Sequence, residues 1–94
     1  MEIQYAKIAL KALRRYDEKT RERIRGKIGG LTKTPPVGDI KPIIGEDGAY
    51  RLRVGKFRVK FAYATEAVRN ENGETESVKV LWIIDVDSRG EIYK

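Results

Sequence analysis

Arginine and lysine alternate with apolar residues twice in close succession, and this is where the sequence offers chemistry. Arg51 and Arg53 interleave with Tyr50, Leu52 and Val54, while Arg58 and Lys60 interleave with Phe57, Val59 and Phe61. In an extended strand, alternate side chains leave opposite faces, so each run places its cations on one side and its apolar residues on the other. If the two runs pair as a hairpin, Arg51, Arg53, Arg58 and Lys60 share a face, with Lys56 in the connection. No carboxylate stands among them between residues 50 and 60. Decoration of a water-facing sheet side is the simpler reading. Such a side normally mixes signs, however, because like charges opposed on paired strands are destabilising. A wholly cationic face is therefore expected to hold an anion. The planar guanidinium fork suits the two-pronged contact that phosphate oxygens offer.

Fixed cations around a phosphodiester can do more than bind it. In RNA the ribose 2′-oxygen can attack the neighbouring phosphorus, and charge then grows on the phosphoryl oxygens and the leaving 5′-oxygen. Several positioned cations can stabilise that charge in place of a metal. They also depress the pKa of a nearby lysine or tyrosine, which brings proton transfer closer to neutral pH. The chain has no histidine and no cysteine. That excludes disulfides, thiol nucleophiles and the usual soft zinc ligands. It also removes the side chain whose ordinary pKa best suits proton transfer near neutrality. Catalysis would fall to Lys, Arg, Tyr, Asp or Glu. Asp85 and Asp87 could share a hard metal, but ion pairs with nearby arginines are the plainer expectation. No phosphate-loop glycine pattern appears, and neither a metal nor a small-molecule cofactor is expected.

The elements that must position these residues can be read from the same 94 positions, whose length predicts a single domain over residues 1–94. A net charge of +6 favours a polyanionic partner over a neutral metabolite. The longest apolar run, Val80 to Ile84, is far shorter than the roughly 20 residues that span a bilayer. Lys7 and its polar neighbours interrupt any signal-peptide core. A cytoplasmic protein without membrane association is expected.

Residues 2 to 5 alternate as a short edge strand would. Ala6, Ala9, Leu10, Leu13 and Tyr16 then make one apolar helical stripe, and Ile24, Ile28 and Leu31 make a second. Asp17 and Glu18 suit the start of the second helix, and Thr34-Pro35-Pro36 ends it. Arg21, Arg23, Arg25 and Lys27 spread around that helix, so solvation is their default. After the prolines the period becomes two. Ile40 to Ile44 predicts a short strand, and Gly55-Lys56 predicts a type II′ hairpin turn between the two basic strands. Asn72-Gly73 turns into a last, more apolar strand over Val78 to Ile84, with the look of a central one. Glu66, Glu71, Glu74 and Glu76 form an acidic loop expected to point away from the cations. The predicted fold class is α+β: an N-terminal helical hairpin packed on one face of a mostly antiparallel sheet of three to four strands.

The run Tyr50-Arg51-Leu52-Arg53-Val54-Gly55-Lys56-Phe57-Arg58-Val59 resembles a recurrent motif of the RelE/ParE toxin superfamily, and Arg89-Gly90-Glu91-Ile92-Tyr93-Lys94 resembles that family's closing segment. The short first strand, the helical hairpin, the proline break and Lys41-Pro42-Ile43-Ile44-Gly45 follow the family's order. The resemblance implies a microbial-RNase-like fold and the toxin of a type II toxin–antitoxin system. In RelE-type members the activity is ribosome-dependent cleavage of mRNA in the A site, which inhibits translation. It also implies that Arg51, Arg53, Arg58, Arg89 and Tyr93 are catalytic, with Lys56 and Lys60 binding RNA. The implied partners are a cognate antitoxin, the ribosome and mRNA. Arginine stays protonated, so the proton acceptor is left open, with Lys56 and Lys60 the lysines near it in sequence. Two other readings stand: a ParE-like inhibitor of DNA gyrase, and a catalytically degenerate member that only binds RNA or an antitoxin. Fold cannot separate them.

Overall fold

The computed structural model describes residues 1–88. In chain order its elements are strand β1 (Glu2–Tyr5), helix α1 (Lys7–Arg14), helix α2 (Glu18–Gly29), a 3-10 turn (Gly30–Thr32), and strands β2 (Asp39–Pro42), β3 (Ala49–Val54), β4 (Phe57–Arg69) and β5 (Thr75–Asp87). Among the described residues no helix is long and apolar enough to cross a membrane.

The two apolar stripes make the helical layer. Ala9 and Leu13 of α1, Ile24 and Ile28 of α2, and Leu31 just beyond are buried against one face of the sheet. Ala12, outside the expected stripe, is buried as well, whereas Leu10 is only half-buried. Asp17 caps α2 by accepting a hydrogen bond from the Thr20 backbone N–H at 2.9 Å. Tyr16 ends the first stripe by packing edge-on against Phe57, ring centroids 4.9 Å apart.

The sheet has five strands in the order β1-β5-β4-β3-β2, one or two more than expected. It is mixed: β1 pairs with β5 in parallel, and the other pairings are antiparallel. A parallel neighbour so distant in sequence leaves no local signal, because alternation reveals a strand's faces and not its partner. The apolar last strand does lie centrally, between β1 and β4. The inward side chains of β3, β4 and β5, among them Leu52, Val59, Phe61, Leu81 and Ile83, complete the core.

Two features of the long β4–β5 pair depart from the sequence reading. Glu66 and Glu76 belong to strands, and only residues 70–74 form the turn. Register runs from Arg58↔Asp87 to Arg69↔Thr75, whereas β3 accompanies β4 only as far as Ala62 and β1 joins β5 only from Val80. The acidic segment is thus a two-stranded ribbon extending past the sheet, away from Arg58. The second feature is a bulge. Phe61 is opposite Ile83 and Lys60 is opposite Asp85, which leaves Ile84 as an extra residue. The shift inverts the alternation of β5: Val86 enters the core, while Asp85 and Asp87 come opposite Lys60 and Arg58.

Candidate nucleic-acid interface

The β3–β4 hairpin builds the cationic face as its alternation requires. Arg51 is opposite Lys60 and Arg53 is opposite Arg58. The two-residue connection needs a positive φ at its first position, which Gly55 supplies at 59°; among the described residues no non-glycine residue has a positive φ. The guanidinium of Arg23 lies against this glycine, its nitrogen 3.0 Å from where a Cβ would stand. β2 then extends the face outward, with Asp39 opposite Arg53 and Lys41 opposite Arg51.

The face is not free of carboxylates, and this corrects the charge reading. Arg51 donates to the backbone oxygen of Asp39 at 2.8 Å and to its Oδ1 at 3.0 Å. Its side chain is only 13% exposed. Lys60 pairs with Glu46 in the β2–β3 loop. Both partners come from outside the 50–60 window in which no acid stands. Asp85 and Asp87 join the same face through the bulge. Asp85 accepts a hydrogen bond from the Val86 N–H at 2.8 Å and makes no ion pair among the described residues.

Three of the cations, Arg53, Lys41 and Arg58, are left for a ligand. Asp39 is opposite Arg53 in register, yet its carboxylate goes to Arg51. Arg53 and its neighbour Lys41 accordingly make no ion pair among the described residues. Arg58, across from Arg53, donates weakly to the Lys56 carbonyl at 3.4 Å. Arg51, Arg53, Arg58 and Lys41 together line an open cleft of about 290 Å³, completed by Pro42, Ile43 and Ile44. The structure thus brings Arg51, Arg53 and Arg58 into one place. Lys60 and Lys56 fall outside the lining, and Lys56 lies 5.5 Å over the Phe57 ring at the turn. Arg89 and Tyr93 lie outside the described residues.

Lys41 and the apolar wall were missed as site residues, although alternation of Lys41 with Ile40 in a predicted strand was a signal that could have placed it. The phenols of Tyr5, Tyr16 and Tyr63 are all raised, chiefly by burial; Arg25 slightly opposes this at Tyr5, and Asp87 adds to it at Tyr16. They belong to the helix side, where Tyr5 and Tyr16 pack on the core and Tyr63 donates to the Leu31 carbonyl at 2.8 Å. Among the described residues no group of three potential metal-ligating side chains comes together.

Fold and cleft define an α+β protein with a helical hairpin on one side of its sheet and an open basic cleft on the other. Among solved structures, it is similar to a chain of the RelB–RelE antitoxin–toxin complex from Methanococcus jannaschii. The TM-score is 0.62, with 24% identity over 96% of this chain and 94% of that one. No family model matches the sequence, and no curated protein matches it. The structural likeness establishes a shared fold.

Proposed function

We propose that this chain is the toxin of a type II toxin–antitoxin system, an endoribonuclease that cleaves mRNA in the ribosomal A site and so inhibits translation. The observation that carries the reading is the opposition of Arg53 and Arg58 across paired strands, beside Lys41 and Arg51 in one open cleft. Like charges so placed are unfavourable unless an anion comes between them. The RelE/ParE-like motif from Tyr50 to Val59 supports the same reading. So does the fold shared with a chain of a RelB–RelE complex, an assembly of an antitoxin with a toxin. A basic cleft favours the toxin, with an acidic antitoxin segment as its natural cover.

In this mechanism the ribose 2′-oxygen attacks the adjacent phosphorus and the bond to the 5′-oxygen breaks. The products are a 2′,3′-cyclic phosphate and a 5′-hydroxyl. Arg53 and Arg58 hold the phosphoryl oxygens as their charge grows, with Arg51 fixed beside them by Asp39. Arginine keeps its protons, so the 2′ proton goes to another group. Glu46, paired with Lys60, is the carboxylate assigned to receive it. Arg89 and Tyr93, in the closing segment, are assigned to the leaving 5′-oxygen and the neighbouring base: Arg89 stabilises the charge on that oxygen, and water supplies the proton that makes it a hydroxyl. Lys56 and Lys60 contribute to RNA binding from the rim. The reaction requires no metal.

Cleavage of mRNA on programmed ribosomes tests this, with EDTA present throughout. Wild type is expected to cut, and Arg58→Ala and Arg89→Ala are each expected to lose on the order of 100-fold in rate. Intact mRNA with wild type, or undiminished cutting by both variants, would contradict the proposal.

A further inference from the structure

The cleft has two chemically different linings. One is cationic, and the other is the apolar wall of Pro42, Ile43 and Ile44. Ile43 is buried and anchors that wall, while Ile44 is 100% exposed. The loop that carries Ile44 is tied: the Ile43 N–H donates to the Ala49 carbonyl at 2.9 Å, and the Ala49 N–H donates to the Glu46 carbonyl at 3.2 Å. A single exposed isoleucine on a protein surface is ordinary. One held by a closed loop at the edge of a cleft with four cations has a chemical partner implied beside it. Phosphate and nucleobase are the two ends of a nucleotide, one anionic and the other flat and apolar.

Resting on the nucleic-acid reading above, we propose that the cleft takes one nucleotide of a single-stranded RNA, its phosphate on Arg53 and Arg58 and its base against Ile44 and Pro42. At about 290 Å³ the space matches the lower end of small-ligand pockets, roughly 300 Å³. That suits one nucleotide. A base inside a helix has both faces stacked, so it must be splayed out to meet the wall, as bases in single strands are. Every base has an apolar face, which makes the contact tolerant of sequence. Ile44 in this role is a positioning residue, since it orients the nucleotide without touching the reacting phosphate.

The test is equilibrium binding, followed by fluorescence anisotropy. The probes are a short 2′-O-methyl oligonucleotide, which cannot be cleaved at the blocked 2′-oxygen, a matched abasic strand and a matched duplex. Wild type is expected to bind the strand with bases roughly tenfold more tightly than the abasic strand, and to bind the duplex no better than the abasic one. Ile44→Ser, a change at a fully exposed position, is expected to erase the preference for bases while keeping the abasic affinity. Equal binding of the two single strands by wild type, or a preference surviving in Ile44→Ser, overturns this inference and leaves the cationic cleft standing. Failure of wild type to bind any of the three removes the nucleic-acid reading itself, and this inference with it.

Discussion

Arg53 and Arg58 are opposite each other across the β3–β4 pair, an arrangement of like charges that costs the fold stability. Removing one charge while keeping the aliphatic stem should therefore separate stability from activity. Arg53→Gln is expected to leave the protein as stable as wild type, or more stable by up to about 1 kcal/mol, in urea unfolding at low salt. Added salt should shrink any gain. A clear loss of stability would mean that the Arg53 charge serves the fold. Arg51 behaves oppositely, because its guanidinium is mostly covered and satisfied by Asp39. Asp39→Asn is expected to destabilise by about 1 kcal/mol, since the partner is half-exposed and solvent screens the pair. The sequence already separates the cationic face from the apolar one. It hides the counter-ions, because Asp39 and Glu46 stand 12 and 14 positions from the residues they meet, and no periodicity links them.

The β3–β4 turn is where one backbone conformation sets the cleft. Gly55 combines a φ of 59° with a guanidinium packed against its Cα. Gly55→Ala should cost roughly 1–2 kcal/mol, seen as a Tm lower by several degrees, and should slow cleavage by shifting Arg53 against Arg58. A Tm equal to wild type would show the turn to be tolerant. On the other side of the sheet, the raised phenols of Tyr5, Tyr16 and Tyr63 give a pH dependence. Each folded pKa lies above the ordinary 10.0, so the unfolded chain ionises first. Their contribution is full below about pH 10 and is lost as pH rises through the folded values. The urea midpoint should hold steady up to that point and then fall; a flat profile through pH 11 or so would contradict the burial assigned to them. Most elements were legible because each stripe, alternation and turn residue is local. The parallel β1–β5 pairing was not, nor was the bulge at Ile84. A single unpaired residue in an apolar run looks like any other residue of that run, yet it decides which face Asp85, Val86 and Asp87 take.

Across the whole molecule, charge is segregated. The net +6 comes from residues 1–36, while residues 37–94 balance their charges; within the sheet the cations gather at the cleft, and Glu71 and Glu74 sit at a ribbon tip roughly 35 Å along β4 from Arg58. The tip thus stays clear of the cleft, although most of the acidic segment is strand and not loop. Salt dependence should reflect the cations left without carboxylate partners. With Lys41, Arg53 and Arg58 meeting phosphates, the logarithm of single-strand affinity should fall with the logarithm of salt at a slope of about −2. A slope near zero would place binding elsewhere. The basic centre and its hairpin were visible in the sequence, but Lys41 became part of the cleft only when β2 was laid beside β3. The most direct measurement of the central claim is cleavage on programmed ribosomes of two otherwise identical mRNAs, one carrying a single 2′-deoxy nucleotide at the attacking position in the A-site codon. The all-ribose message should be cut to a 2′,3′-cyclic phosphate and the deoxy message should remain intact. Cutting of both at the same position, or of neither, would contradict 2′-oxygen attack in this arginine cleft.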